Sequence, residues 1–209
     1  MKKLFATLFA VVAFVAVAIA QTPQEIVSRM ETEMGKLEKQ GVVMMADAKI
    51  PIFGTMTTKT YTLGDKSRSE GAMLGVEIVT WSDGETIWEY NVKENQVQIE
   101  NARFNTKSDS NGDLGLFSGI TEGYDVSIDK ETSTEWNLLC KKSKSNTDKD
   151  APQKIELVIA KGTYVPVTLI TKVEGIKITM YDITFGVTEE EVTFNADKYP
   201  GVTVVDKRQ

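Results

Sequence analysis

The stretch from Trp81 to Glu100, WSDGETIWEYNVKENQVQIE, contains two runs in which apolar and polar residues alternate. Alternation of this kind indicates half-buried β-strands. Ser82-Asp83-Gly84 precedes the first run and Lys93-Glu94-Asn95 separates the two, and both triplets are typical of hairpin turns. The stretch therefore predicts an aromatic β-hairpin within a chain built mainly of antiparallel strands.

A helix is predicted immediately before the strand-rich part of the chain. Thr22, Pro23 and Glu25 fit the N-cap, first and third positions of a capping box. An apolar stripe at spacings of three and four follows, made of Ile26, Met30, Met34 and Leu37. Gly41 is a natural stop. We expect one amphipathic helix at residues 23–39, with an apolar side suited to covering a sheet.

Almost all of the chain after Gly41 has the pattern of β-strands joined by short turns. The predicted strands are residues 42–50, 55–63, 76–78, 85–91, 96–104, 124–128, 134–142, 154–160, 165–173 and 176–185. A helix of about 17 residues spans roughly 25 Å and cannot cover a flat sheet of that width. The sheet must therefore curl around the helix, which leaves an apolar hollow between them.

The first 20 residues have the features of a secretory signal peptide. Lys2-Lys3 precede an apolar run that ends in Ala18-Ile19-Ala20. The alternative is a membrane anchor, but no basic stop-transfer cluster follows the run. We therefore expect a cleaved signal at residues 1–20 and a single domain at 21–209 that is exported from the cytoplasm as a monomer.

Charge and composition exclude several classes of function. Removing residues 1–20 takes away two of the 24 basic residues and none of the 30 acidic ones, leaving a net charge of −8. An acidic chain without a basic cluster in its sequence predicts binding neither to nucleic acid nor to anionic lipid headgroups. The lone Cys140 cannot form an internal disulfide, so we expect a half-buried strand residue; pairing between two chains is the alternative.

The chain has few groups able to carry out catalysis. It contains no histidine, which excludes serine–histidine and cysteine–histidine catalysis and histidine-ligated metal sites. With 30 acidic residues, pairs of carboxylates arise by chance, and Glu189-Glu190-Glu191 is expected to be a solvated turn before a strand. Asp109, Asn111 and Asp113 match part of a calcium loop, but Leu114 stands where glycine is required. The prediction is a protein without cofactor or metal, and not an enzyme.

Three stretches resemble the periplasmic outer-membrane lipoprotein carriers, the LolA-like family. Residues 82–97 are similar to that family's S-D-G-x-x-[LI]-W-x-Y-x-x-x-x-x-Q-V pattern. The tail, EEEVTFNADKYPGVTVVDKR at residues 189–208, resembles the family's closing pattern, and residues 162–185 look like its penultimate hairpin. Members of this family have an unclosed antiparallel barrel covered by helices. They hold the acyl chains of a lipoprotein and carry it from an inner-membrane donor to an outer-membrane acceptor.

The resemblance and the strand pattern together imply a fold and a binding site. The fold class is α+β, mainly antiparallel β: a half-open β-barrel of about ten or eleven strands, with the N-terminal helix and a short internal helix, Leu114–Ile120, as its lid. The apolar cavity is expected to be lined by helix and lid residues Met30, Met34, Leu116 and Phe117 and by strand residues Met44, Val76, Ile78, Trp88, Tyr90, Val97, Ile99, Leu157, Ile159, Ile178 and Met180.

One departure from the family pattern leaves the function open at this point. Carriers fasten the lid with a basic residue beside a proline, and the corresponding residues here, 61–71, contain Lys66 and Arg68 but no arginine–proline pair. The expected function is a non-enzymatic carrier of lipoprotein or lipid acyl chains. The alternative is an envelope sensor or protein-interaction module of the same fold, in which the apolar face packs against the helix without a cavity.

Overall fold

The computed structural model describes residues 21–102 and 117–208. Helix α1 (Pro23–Leu37) begins with the predicted capping box: Thr22 Oγ1 accepts a hydrogen bond from the Glu25 amide at 3.2 Å, and Glu25 Oε2 accepts one from the Thr22 amide at 2.9 Å. These hydrogen bonds hold the pKa of the Glu25 carboxyl below its ordinary value. A 3-10 turn, Glu38–Gln40, follows, and the chain then reverses at Gly41.

Gly41 is required by both its conformation and its surroundings. Its φ of 80° lies in the left-handed region, which residues other than glycine rarely adopt. A Cβ atom at this position would stand 2.5 Å from the Cβ of Val187. The close approach lets the amide of Val187 donate to the carbonyl of Gln40 at 2.8 Å, which ties the end of the helix region to the C-terminal segment.

The sheet within the described residues has twelve strands. They are β1 (Val42–Ile50), β2 (Gly54–Leu63), β3 (Lys66–Met73), β4 (Val76–Ser82), β5 (Thr86–Asn91), β6 (Gln96–Asn101), β7 (Tyr124–Glu131), β8 (Glu135–Lys142), β9 (Lys154–Ala160), β10 (Pro166–Val173), β11 (Ile176–Phe185) and β12 (Thr203–Asp206). The sequence did not predict β3, because its residues are mostly polar and lack apolar alternation. It also did not place the short β12.

The strand order is β12-β6-β5-β4-β3-β2-β1-β11-β10-β9-β8-β7. Two antiparallel meanders, β1 to β6 and β7 to β11, are joined by the pairing of β1 with β11. β12 adds to β6 in the parallel direction. The two edge strands, β12 and β7, do not pair with each other, so the sheet is unclosed and mainly antiparallel, as the fold prediction stated.

Two segments cover opposite faces of this sheet. α1 packs on one face of the β7–β11 half, and we call that side of the whole sheet the inner face. Residues 187–206, here called the C-terminal segment, pack on the outer face of β4, β5 and β6. The segment includes a short helix, α2 (Glu189–Val192), where a solvated turn was predicted. That prediction was wrong, because Thr188 and Glu191 form a second capping box that starts a helical turn.

Several predicted features lie outside the described residues. They include the expected signal peptide, Leu116, the partial calcium pattern and the first three residues of the expected internal helix, 114–116. The rest of that expected helix, residues 117–120, forms turns. Across 21–102 and 117–208, none of the helices has the length and apolar character needed to cross a membrane.

Candidate functional site

The inner face of β7–β11 and the buried side of α1 form one apolar cluster. Alternate residues of each strand point to the same face of a sheet, so every second side chain here meets the helix. The fully or nearly fully buried members are Ile26, Val27, Met30, Met34, Phe117, Trp136, Leu138, Cys140, Ile155, Leu157, Ile159 and Leu169. None of them carries a charged group. The cluster can therefore offer a ligand apolar area and little else.

Strand bulges keep the apolar residues of this half on one face. Asp182 has a left-handed φ of 52°, and the pairing of β1 with β11 shifts register beside it. The shift brings Met180 and Ile183, which are three residues apart, against the same cluster. A second shift between Pro166 and Thr168 does the same for Pro166 and Leu169.

Eight predicted cavity residues lie in or beside this cluster or along the same face. Met30, Met34, Phe117, Leu157 and Ile159 are buried members, and Met180 packs against them. The pairings of Ala46 with Met180 and of Ala48 with Ile178 place Met44 and Ile178 on the same inner face. Whether these residues bind a ligand remains a prediction.

The inner face of the other half, from β2 to β6, is much more polar. Cross-strand pairs place Gly71 opposite Ile78 and Ser69 opposite Thr80, so Val76 and Ile78 do lie on this face. Their neighbours there are mainly hydroxyl residues: Thr58, Thr60, Thr62, Ser67, Ser69, Thr80 and Ser82. A groove of about 220 Å³ runs past Ile78 and Thr80 to Glu89. The expected apolar wall is therefore confined to the β7–β11 half.

Four residues expected inside the cavity lie on the outer face, and their predicted placement was wrong. Trp81 pairs with Trp88, and Tyr90 pairs with Val97, so the aromatic residues share the face opposite to Ile78. Ile99, paired with Trp88, lies there too. Alternation within a strand identifies two faces but does not say which face of one strand continues into the next, because turn length decides the register.

These aromatic residues hold the C-terminal segment. The Phe194 ring stacks on Trp88 with centroids 5.7 Å apart and meets the edge of Trp81 at 5.4 Å. Tyr199 lies 4.7 Å from Tyr90 by the same measure. Val97 beneath them is fully buried. The two stretches that are most similar to the lipoprotein carriers, residues 82–97 and the tail, are thus in contact, and their shared pattern has a structural role.

Arg68, one of the two basic residues at positions 61–71, where the carriers have the residue that fastens the lid, is also on the outer face. Its guanidinium lies over the rings of Tyr61 and Trp81, at 5.4 and 5.7 Å, and it forms an ion pair with Glu70. Because α1 is on the opposite face, Arg68 does not fasten the helix.

Tyr164, in the turn between β9 and β10, is a residue that does contact α1 and the residue before its N-cap. Its hydroxyl accepts hydrogen bonds from Gln21 Nε2 at 2.8 Å and from Arg29 Nη1 at 3.1 Å, and the Arg29 guanidinium lies 5.3 Å from its ring centroid. The Tyr164 ring also stacks on the Trp136 ring, with the two centroids 5.3 Å apart. A φ of 58° at Tyr164 indicates local backbone strain that these contacts maintain. Nothing in the sequence pattern distinguishes this residue from any other tyrosine in a turn.

A second polar contact fastens the C-terminal half of α1. Glu31 Oε1 accepts a hydrogen bond from the amide of Gly119, at 3.1 Å, in the turns that follow Phe117. Among residues 21–102 and 117–208, apart from this bond and the Tyr164 contacts, α1 is attached to the sheet through apolar side chains. Contacts of that kind are non-directional and permit a helix to shift.

Cys140 lies within the cluster under α1 and has no exposed surface. Burial raises the pKa of its thiol to about 11. The sequence predicted a half-buried strand residue; Cys140 does lie on β8, but it is fully buried because α1 covers this part of the sheet. Within the described residues, no group of three acidic, cysteine or histidine side chains could hold a metal ion.

The sequence matches no family model and no curated protein. Several solved structures are similar to this chain over most of its length. An uncharacterized conserved protein from Thermus thermophilus is 16% identical, with a TM-score of 0.48 over 88% of this chain and 98% of its own. A LolA superfamily protein from Nitrosomonas europaea is 11% identical, with a TM-score of 0.38 over 85% of this chain and 100% of its own.

The MucA/MucB complex of Pseudomonas aeruginosa is a third match, at 12% identity and a TM-score of 0.44; the match covers 82% of this chain and 62% of that one. At these identities the likeness concerns the fold and not the residues of a site. The similar structures also include an outer membrane lipoprotein-sorting protein domain from Vibrio parahaemolyticus, at 13% identity and a TM-score of 0.36 over 82% of this chain and 97% of its own.

Proposed function

We propose that this protein is an exported, non-enzymatic carrier that binds the acyl chains of lipoproteins or lipids between α1 and the inner face of β7–β11. The observation that carries the proposal is the apolar cluster under α1, which is continuous over five strands and contains no charged side chain. An acyl chain gains about 0.8 kcal/mol for each methylene that leaves water. Binding of this kind needs apolar area and no reactive group.

Loading requires α1 to move, because its side chains fill the space above the sheet. Ile26 and Met30 are fully buried against Leu157 and Ile159, also fully buried. An acyl chain would replace the helix side chains on this surface. Methionine side chains suit such an exchange because they are flexible and repack around different shapes, and Met30, Met34, Met44 and Met180 all lie on this side.

The proposed binding residues follow from this geometry. Met30, Met34, Phe117, Leu157, Ile159 and Met180 would contact the acyl chain, with Met44 and Ile178 at the end of the surface toward β1. Tyr164 would hold α1 closed over the sheet, and we call it the latch. Its hydroxyl accepts hydrogen bonds from Gln21, which precedes α1, and from Arg29 within α1. Leu116 remains a proposed lining residue by sequence alone.

The location and partners belong to the same proposal. Residues 1–20 would direct export to the periplasm, where a donor at the inner membrane would load the carrier and an acceptor at the outer membrane would unload it. A chaperone-like role in outer-membrane biogenesis is implied by the resemblance to lipoprotein carriers, and the LolA superfamily neighbour supports it in fold.

A pair of tyrosine variants tests the latch and with it the site. Tyr164→Phe removes the hydrogen bonds to α1, whereas Tyr124→Phe removes a bond of similar length, 2.9 Å, to the carbonyl of Pro152 and leaves α1 untouched. We expect Tyr164→Phe to take up and release a fluorescent fatty acid about tenfold faster than the wild type, for the loss of about 1.4 kcal/mol of polar contact. Tyr124→Phe should exchange the probe at the wild-type rate.

The experiment also has an outcome that contradicts the proposal. If none of the three proteins binds the fatty acid in a saturable manner, no acyl site exists under α1. The alternative, a sensor or interaction module with a filled interior, is favoured by the complete burial of Ile26, Met30, Leu157 and Ile159. Under that alternative, α1 presents its solvent side to a partner protein and the fatty acid does not bind.

A further inference from the structure

Five lysines form a continuous row across five neighbouring strands. Lys49 of β1 pairs with Lys177 of β11, and Lys177 pairs with Lys172 of β10. Lys154 of β9 stands one residue beyond the pair of Thr171 with Ile155, next to Lys172, and it pairs with Lys141 of β8. Directly paired residues share a face, so all five side chains emerge from the outer face in one line, which we call the lysine row. At about 4.8 Å per strand, the row is about 19 Å long.

Nothing in the local fold neutralises most of this charge. All five side chains are exposed. Lys154 forms an ion pair with Glu156 at 2.6 Å. Asp125 of β7 stands opposite Lys141 in the strand pairing at the end of the row. Among the described residues, no carboxylate lies within ion-pair distance of the other four lysines. Asp47, in the adjacent cross-strand row, accepts hydrogen bonds from Thr57 and Tyr181 instead.

A row of like charges directly opposite one another opposes the folding of the sheet. The rest of the chain carries an excess of acidic residues, which makes five aligned lysines a local exception. The counting of charges along the sequence missed the row because its members are separated by up to 128 positions, from Lys49 to Lys177. Anionic partners would neutralise it.

An exposed apolar hairpin tip stands beside the lysine row. Lys49 is followed by Pro51, Ile52 and Phe53 in the turn between β1 and β2. Ile52 is completely exposed, at 102%, and Phe53 is 73% exposed. Ile52 also has a φ of 74°, a strained conformation for a β-branched residue at a position where glycine or asparagine would fit without cost. An isoleucine at this position therefore does not stabilise the hairpin, and stability does not explain why Ile52 is there.

The tip and the lysine row border one groove. A depression of about 750 Å³ is lined by Pro51 on one side and by Lys49, Lys154, Lys172 and Lys177 on the others. Glu156, the ion-pair partner of Lys154, also lines the groove. Lysine side chains suit a surface where an apolar phase meets a charged one, because the aliphatic stem can be buried while the charge remains in water.

We propose that this end of the outer face docks on a bilayer that contains anionic lipids. The lysine row lies along the phosphate layer, and Ile52 and Phe53 enter the boundary between headgroups and acyl chains. The combination favours a membrane over an acidic protein, because weak apolar insertion and a basic patch are the two signals that together give reversible membrane binding. The net negative charge of the whole chain disfavours other orientations, so the row would set the direction of docking.

This inference does not depend on the cargo or on the proposed acyl site. It differs from the expectation from composition that the chain has no affinity for anionic headgroups, because that expectation used the net charge and not the arrangement of the lysines on the sheet. A carrier that failed to bind fatty acids could still dock, and a carrier with an acyl site could fail to dock.

Vesicle co-sedimentation tests the proposal with a matched pair of variants. The protein is purified from an exporting bacterial host, and its N-terminus is established by intact mass so that all variants start at the same residue. The row variant is Lys49→Ser/Lys172→Ser/Lys177→Ser. The control is Lys36→Ser/Lys39→Ser/Lys130→Ser, which removes the same charge from exposed positions on α1, the following 3-10 turn and β7.

We expect the wild type and the control to sediment with vesicles of equal parts phosphatidylglycerol and phosphatidylcholine, and not with phosphatidylcholine alone. The row variant should bind about a hundredfold more weakly. Binding of the wild type should decrease when salt is raised from about 0.05 M to about 0.5 M. Ile52→Ser/Phe53→Ser should weaken binding at both salt concentrations, since it removes the apolar contribution.

Three results would overturn the proposal. Failure of the wild type to sediment with anionic vesicles would mean that the row has a different partner, such as an acidic protein. Equal losses in the row and control variants would mean that only net charge matters. Equal binding to neutral and anionic vesicles would mean that the lysines do not contact headgroups.

Discussion

At the scale of single residues, Cys140 reports on the closed state of the apolar cluster. The thiol is buried under α1, among Met30, Leu138 and Leu157. Its pKa of about 11 lies above the ordinary value because the thiolate would lose hydration in this environment. The folded state therefore holds the proton more tightly than the unfolded chain does.

The sign of the resulting pH dependence follows directly. Below about pH 9 the thiol is protonated in both states and contributes no pH dependence, whereas between pH 9 and 11 only the unfolded chain ionises. We predict that the free energy of unfolding decreases over that range by about 2 kcal/mol more in the wild type than in Cys140→Ala. Urea denaturation at pH 8.5 and pH 11 measures the difference. Parallel pH profiles for the two proteins would show that the thiol is not buried in the folded state.

At the scale of elements, the C-terminal segment acts as a brace on the face opposite to the proposed site. Its aromatic residues Phe194 and Tyr199 pack on Trp81, Trp88 and Tyr90, and β12 completes the sheet beside β6. Additional hydrogen bonds join the two parts: the Thr203 amide donates to the Asn95 carbonyl at 3.0 Å, and the Lys207 amide donates to that of Ile99 at 2.8 Å.

We predict that Phe194→Ala lowers the free energy of unfolding by about 2 kcal/mol, less than for a fully buried phenylalanine because Phe194 is half-buried. Binding of a fatty acid should not change, since the residue is on the outer face. Phe53→Ala, at an exposed tip, is the matched control for stability and should have no effect on unfolding. A loss of fatty acid affinity in Phe194→Ala without a loss of stability would contradict the division into a brace and a binding face.

Sequence patterns were sufficient to predict most of the helices and strands, but not to predict which residues share a face of the sheet. The capping residues Thr22 and Glu25 and the stop at Gly41 placed α1 within two residues of its observed end, because these signals act locally. The ten predicted strands all form. Which residues share a face is decided by turn lengths and bulges, such as the one at Asp182, and these depend on contacts between distant strands.

The same limit explains the errors in the candidate site. Val76 and Val97 have identical patterns in their own strands, yet one lies on the inner face and the other under Phe194 and Tyr199 on the outer face. The lysine row could not be found either, because alignment across five strands requires the register of every intervening pair.

At the scale of the whole molecule, the sheet separates three roles. The inner face of β7–β11 with α1 forms the apolar cluster, the outer face of β4–β6 holds the C-terminal segment, and the outer face of β8–β11 and β1 carries the lysine row. In our account the first role binds acyl chains and the third brings the protein to a membrane surface. An unclosed sheet allows α1 to move outward from its half without disrupting the other half.

The most direct test of the central claim is native mass spectrometry of the protein purified without detergent from the periplasm of an exporting host, followed by analysis of its organic extract. The account predicts an adduct near one per protein that extracts as a lipid or an acylated peptide and is retained in Phe194→Ala. A bare chain that also binds no added fatty acid would contradict a carrier function and would identify the filled interior as the functional form.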